Sequence, residues 1–252
     1  DSSLFQMDVL LGPKQVSEAT FRIVQSGTFR VSGNVNAMNL TLNIPQEGVL
    51  NISVDADDWK YVSDEFGNKI LVLQWKNPSA ETSYKTKIIV KNRAQELKFE
   101  KPLATAPEYL KGNGQVKLTP EIAKAAFPFE RTVKKAAELA KWVNSYVTYD
   151  LSIVGQLKPS DWVYENKRGV CVEYANLLSA MLKTSGIPTR YIIGYAYSAV
   201  ENKLIGHTWV EILADDGSWI PLDPTWNEAG YLDATHIKTA NRIDANLTQK
   251  LA

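Results

Sequence analysis

The sequence predicts an α+β protein in which an all-β first part precedes a mixed domain built around one buried helix. Three observations lead there. Up to about residue 100, short alternating apolar and polar stretches are separated by turn residues. From Thr119 to Ser185, apolar residues recur three and four apart. From Thr189 onward, β-branched and aromatic runs return, broken by polar turns. The 252 residues suffice for a substantial core, in one large domain or two, and 44% hydrophobic with 22% charged residues is the composition of a globular chain.

In the first part, Val35 to Ile44 places Met38, Leu40, Leu42 and Ile44 on one face and Asn39, Thr41 and Asn43 on the other. Strands are expected again over Val49–Val54, Ile70–Trp75 and Tyr84–Val90, with breaks at Pro45–Gly48, Phe66-Gly67-Asn68 and Asn77-Pro78. Strands this short and evenly spaced suggest a sandwich-like module. Asp55, Asp57, Asp58, Asp64 and Glu65 have no calcium-loop spacing and read as solvated turns. The irregular stretch Pro102–Gly114 marks a connector, so the boundary is placed at about residue 100: a β-rich domain over 1–100 and a second domain over 101–252.

Thr119-Pro120-Glu121 starts a helix with a capping hydroxyl, a first-turn proline and an acid, and Pro128 ends it. A longer helix is expected from Thr132 to Tyr146, with Val133, Ala136, Ala140 and Val143 facing inward. The central helix follows Arg168: Tyr174, Leu177, Leu178, Ala180, Met181 and Leu182 share helical spacing, and Gly186 and Pro188 stop it. Its first turn holds Cys171, the chain's one cysteine. There a thiol meets unpaired N–H groups and the positive end of the helix dipole, which favour thiolate. A lone cysteine is more often a small buried hydrophobe, so the neighbouring elements must decide.

Thr189–Tyr197, His207–Leu213 and Ser218–Asp223 read as three strands. Period two puts His207, Trp209 and Glu211 on one face. If Asp215-Asp216-Gly217 is a three-residue hairpin loop, paired residue numbers sum to 432 and Asp223 falls opposite Trp209, diagonal to His207 and on its face. A two-residue loop would turn Asp223 to the other face. With the odd loop, a helix-borne thiol, an imidazole and a carboxylate can serve as nucleophile, base and orienting acid. His236 has no comparable setting and is given no role, and the sequence after Trp226 reads as a closing strand or loop with a polar tail.

Four blocks carry a family resemblance: Gly169-Val170-Cys171-Val172-Glu173-Tyr174, Gly186-Ile187-Pro188-Thr189-Arg190, His207-Thr208-Trp209-Val210-Glu211 and Leu222-Asp223-Pro224-Thr225. Together with Val147-Thr148-Tyr149-Asp150 they resemble the transglutaminase-like superfamily over about residues 107 to 227. The resemblance implies a papain-like fold with Cys171 as nucleophile, His207 as base and acid, and Asp223 as orienting carboxylate. In that mechanism the oxyanion is held by the nucleophile's own N–H and a side-chain donor, for which Trp162 and Tyr149 are the candidates. Val172 stands where the animal enzymes have tryptophan, and only a short tail follows Trp226 where they have two β-barrels, so the resemblance does not carry their calcium activation over to this chain. The Cys-x-x-Cys pairs of zinc-bearing glycanase relatives are missing, and one cysteine with two histidines falls short of a structural zinc site.

These readings lead to cysteine-dependent attack on an amide carbonyl, peptide bond or glutamine side chain, without a cofactor and with a protein or peptide substrate. Water as acceptor gives a peptidase or amidase, and an amine gives a crosslinking transglutaminase. The alternatives are a non-catalytic scaffold of the same fold and a redox-sensing thiol, the latter short of a resolving cysteine. Balanced charge, 28 basic against 28 acidic residues, argues against nucleic acid, and no apolar run reaches the ~20 residues of a membrane span. A start at Asp1 and sequons at Asn39, Asn51 and Asn246 suggest an extracytoplasmic home. His207→Ala and Asp223→Ala are expected to spare the fold while removing thiol activation.

Overall fold

The computed structural model describes residues 16–96, 99–199 and 201–243. Seven strands come first: β1 (Glu18–Arg30), β2 (Ala37–Asn43), β3 (Val49–Asp55), β4 (Asp58–Ser63), β5 (Lys69–Lys76), β6 (Glu81–Arg93) and the short β7 (Gln95–Glu96). After a connector with a 3-10 turn at Pro107–Leu110 come α1 (Pro120–Ala126), α2 (Val133–Tyr146), β8 (Thr148–Tyr149), α3 (Ser160–Asn166), β9 (Arg168–Gly169) and α4 (Cys171–Thr184). The chain then runs through β10 (Thr189–Ser198), β11 (Lys203–Leu213), β12 (Trp219–Leu222), β13 (Tyr231–Leu232) and β14 (His236–Arg242). The protein is thus α+β, as the sequence predicts.

The first seven strands hold two antiparallel three-stranded sheets, β1-β6-β3 and β2-β5-β4. Ile23 and Ile88 of one sheet and Leu71 of the other meet in a single apolar cluster with Ile44 and Val90. Of these, Ile44 lies on the apolar face that alternation over Val35–Ile44 defines, whereas β1 and β4 are not among the strands expected from the sequence.

In the second part, α4 lies in the middle and the rest covers it. Tyr174, Leu177, Leu178, Ala180, Met181 and Leu182 are at most 2% exposed. They pack with Val133, Ala136, Ala140 and Val143 of α2, Ile122 of α1, Val163 of α3 and Val210, Ile212 and Leu222 of the sheet. The capping hydroxyl expected at Thr119 accepts from the Ile122 N–H at 3.3 Å, and Thr132, where the second helix was expected to begin, caps α2 by accepting from the Lys135 N–H at 3.0 Å. Gly186, at φ +73°, closes α4 in the left-handed conformation that glycine adopts without strain.

The sheet facing α4 has the order β12-β11-β10-β14 and is antiparallel throughout. In the β11–β12 hairpin Val210 pairs with Leu222 and Ile212 with Ile220, the register that the three-residue loop requires. Gly217, at φ +80°, and the Ala214 N–H bonded to the Ser218 carbonyl at 2.9 Å close that loop.

The closing strand β14 joins the two parts. It pairs with β10 on one side, and Ile237 enters the apolar cluster of the first two sheets. Asn68, 1% exposed, imitates a strand partner: its Nδ2 donates to the Asn241 carbonyl at 2.9 Å and its Oδ1 accepts the Asn241 N–H at 2.8 Å. Gln46 Nε2 donates to the Thr239 carbonyl at 2.8 Å, and Arg242 pairs with Asp64 at 3.0 Å. Asp64, read from sequence as a solvated turn, is therefore a turn residue that also reaches across to β14. The polar tail expected beyond β14 lies outside the described residues.

Candidate active site

The site is assembled at the first turn of α4. Gly169 is fixed by sterics, since a Cβ there would stand 2.3 Å from the Cβ of Glu173. Glu173 holds the helix entry from inside. Its carboxylate accepts the Val170 N–H at 3.0 Å and the Lys158 N–H at 2.9 Å, the half of a capping box that a valine N-cap permits. Burial raises its pKa above the usual carboxylate value despite those two bonds. Cys171 itself is half-buried and carries a free thiol.

The hairpin delivers the other two residues. His207 Nε2 donates to Asp223 Oδ2 at 2.7 Å, with both side chains at most 2% exposed, and the Cys171 thiol stands near enough to the imidazole to raise its affinity for a proton. The structure therefore brings Cys171, His207 and Asp223 together in the order sulfur, imidazole, carboxylate. The other Asp223 oxygen accepts the N–H groups of Thr225, at 2.8 Å, and Trp226, at 3.3 Å. Asn144 of α2 fixes that turn by donating to the carbonyls of Pro224 and Thr225 at 2.9 and 3.2 Å. With four donors on it, Asp223 is held ionised, well below the usual carboxylate range, although burial opposes this. Burial likewise works against a charged His207, but the Asp223 charge and hydrogen bond outweigh it and push the imidazole up to about 9, with Cys171 adding to the effect.

Tyr149 stands close enough for its phenol to feel the charges of Cys171 and Asp223, and burial keeps the hydroxyl protonated far above its usual range. Trp162 lies on α3, its ring flanked by Lys158 Nζ at 5.2 Å and the Arg168 guanidinium at 5.5 Å. Of the two oxyanion candidates, the structure thus gives Tyr149 an electrostatic link to the thiol.

His236, which sequence reasoning left without a role, is part of the same network. Its Nε2 donates to Asp223 Oδ2 at 3.0 Å, and its Nδ1 lies 3.4 Å from Asp233 Oδ1 and 3.6 Å from Glu228 Oε2. Burial opposes its charge, but these carboxylates, Asp223 first, push it up to about 10. Glu228 is raised to about 7, chiefly by burial. The only local hint in the sequence is an isolated histidine three residues after Asp233. Two trios, His207-Asp223-His236 and Glu228-Asp233-His236, have candidate ligand atoms within 4.8 Å of one another. In both, imidazole nitrogens face carboxylate oxygens in the manner of donated protons, and no metal role is assigned to them.

Residues 118–224 match the family model of the transglutaminase-like superfamily core. This segment is a transglutaminase-like domain. Over 100 residues the chain is 29% identical to a protein-glutamine gamma-glutamyltransferase of Pseudomonas aeruginosa, a stretch that is 36% of this chain and 14% of that protein. Over 98 residues it is 32% identical to an uncharacterized protein of Mycobacterium leprae, covering 36% of this chain and 34% of the other. The chain therefore spans a minor part of the curated relatives it matches. Among solved structures, a candidate cysteine protease of Cytophaga hutchinsonii superposes with a TM-score of 0.64 at 19% identity, over 92% of this chain and 84% of that one. That likeness extends the shared fold through the N-terminal β-rich part. Among the described residues no helix is long and apolar enough to cross a membrane.

Proposed function

We propose that the chain catalyses cysteine-dependent acyl transfer from an amide carbonyl of a protein or peptide. The observation that supports this most is the placement of the His207 ring between the Cys171 thiol and the buried Asp223 carboxylate. In the reading, His207 takes the thiol proton and Cys171 Sγ adds to the amide carbon. The oxyanion is met by the first-turn N–H of Cys171, one of those a helix cannot use internally, and by the Tyr149 hydroxyl. As the intermediate collapses, His207 returns the proton to the leaving nitrogen, the C–N bond breaks and a thioester remains. Water or an amine, deprotonated by the same imidazole, then attacks the thioester and releases the sulfur. Water makes the protein a peptidase or amidase, and a lysine amine makes it a transglutaminase.

Nucleophile, base, orienting acid and oxyanion donors all come from the chain, so the mechanism draws on no cofactor. An extracytoplasmic location remains part of the proposal, and protease accessibility in intact cells tests it.

The experiment is the alkylation rate of Cys171 by iodoacetamide from about pH 4 to 10. As the sole cysteine, Cys171 reports without interference. A free thiol titrates near ~8.5, so the reading expects a plateau well below that pH, lost in His207→Ala. An ordinary thiol curve in both proteins refutes it. Glutamine donors with and without an added amine then distinguish hydrolysis from crosslinking.

A further inference from the structure

Asp223 is shared. One of its oxygens accepts from the Nε2 of two different histidines, His207 at 2.7 Å and His236 at 3.0 Å, while the other is saturated by two backbone N–H groups. A triad alone needs only the first of these imidazoles. The second is held with equal care. His236 is 3% exposed, its ring sits edge-on to Trp209 at 5.4 Å and to Trp226 at 6.1 Å, and Asn92 of β6 donates to its carbonyl. Its far nitrogen faces two more buried carboxylates, Asp233 and Glu228.

We infer that His236 is a positioning residue of the Cys171-His207-Asp223 site, fixing the Asp223 carboxylate from β14 and standing as a buried cation beside the reacting pair at neutral and acid pH. This rests on the proposed roles of those three residues. The groups facing the His236 ring are Asp223, Glu228 and Asp233, all acidic, and His207, whose ring centre is 5.5 Å away. Three carboxylates around one imidazole favour its charged form, in line with its strongly raised affinity for protons.

Two consequences follow. A cation sharing Asp223 reduces how much of that charge His207 receives. Its positive potential also disfavours the more protonated, more positive states of the Cys171–His207 pair. Both effects lower the pH values at which the pair titrates, so His236 shifts the window in which a thiolate faces an imidazolium toward lower pH.

The test is the pH dependence of Cys171 alkylation in His236→Gln, in which the glutamine amide keeps a donor for Asp223 but loses the charge. Both limbs of the profile are expected to move to higher pH, by on the order of one unit for a charge removed at this separation. Asp233→Asn, which keeps His236 but weakens its hold on a proton, is expected to shift them the same way by less. If the native plateau is present and neither variant moves a limb, even where rates fall uniformly, His236 is structural and the inference is wrong. Should His236→Gln fail to fold, Asp233→Asn decides by the same criterion. A native protein with no plateau defeats the proposed function first, and this inference with it.

Discussion

His207 and His236 donate to the same oxygen of Asp223, yet they occupy opposite kinds of surroundings. On β11, His207 has the half-buried thiol of Cys171, the proposed nucleophile, as its other neighbour. On β14, His236 meets Asp233 and Glu228, so both nitrogens face buried carboxylates and neither reaches a reacting atom. The difference teaches how one acid serves two ends. On the β11 side it raises the proton affinity of the imidazole proposed as the base, and on the β14 side, in the proposed reading, it is itself held in place. A network of this kind cannot be assigned residue by residue, because each carboxylate is satisfied only while its donors are present.

Removing Asp223 should break the comparison most completely. From the strand geometry alone, Asp223→Ala appeared harmless to the fold. The structure changes that expectation, since four donors converge on this carboxylate and the variant leaves two buried imidazoles and two N–H groups without it. Breaking a buried charged pair from one side costs about 3–5 kcal/mol, and loss of the orienting acid lowers an acyl-transfer rate by about 10²–10⁴-fold. Thermal melting and acyl-transfer assays should therefore both show large losses in Asp223→Ala. His207→Ala, which leaves Asp223 its bond to His236, should lose the rate with a much smaller change in melting temperature. Equal stability in the two variants would mean that Asp223 is not shared.

The next effect is on stability against pH, and its sign follows from the direction of each shift. His207 and His236 have folded-state values raised to about 9 and about 10. Their contribution is complete below the unfolded value near ~6.5 and disappears as pH rises through the folded values. Glu228, raised to about 7, contributes fully only below about 4.5 and loses that contribution by about neutrality. Asp223 and Asp233, both lowered, contribute above about 4 and lose it as pH falls. The melting temperature should accordingly be highest in the weakly acidic range and fall by several degrees between about pH 6 and 10. In His207→Ala the alkaline fall should persist, because His236 still titrates there. A flat melting profile across that range would show that the two histidines are not charged in the folded protein.

What the sequence could and could not show divides along the same line. The Cys171 helix was legible because its apolar spacing, glycine stop and proline are local signals. So was the side of the sheet on which Asp223 falls, because hairpin register depends on three loop residues, Asp215 to Gly217, and the observed Val210–Leu222 pairing agrees. His236 was not legible. It is placed by β14 pairing with β10 some forty residues earlier, and by contacts from Gln46, Asn68 and Asn92 in the other half of the chain. Asn144 escaped notice for the same reason, since its partners Pro224 and Thr225 are some eighty residues away. No periodicity reports such pairings, because they depend on where two elements meet and not on what either element is.

The smallest effect at the site is expected from the seam between the two halves, and it limits how far the second histidine depends on that seam. Asn68→Ala leaves the Asn241 N–H and carbonyl without their side-chain partner in a buried position. Unsatisfied groups of this kind cost about 1–3 kcal/mol, or roughly 2–10 °C in a chain of this size. Asn241 lies at the far end of β14 from His236, and the His236 end is separately held by Asn92 and by pairing with Ala196. The alkylation profile of Cys171 should therefore keep both limbs within a few tenths of a pH unit while the melting temperature drops. If the limbs move as far as in His236→Gln, the position of His236 depends on the whole seam, and the β-rich half becomes part of the machinery that tunes the thiol.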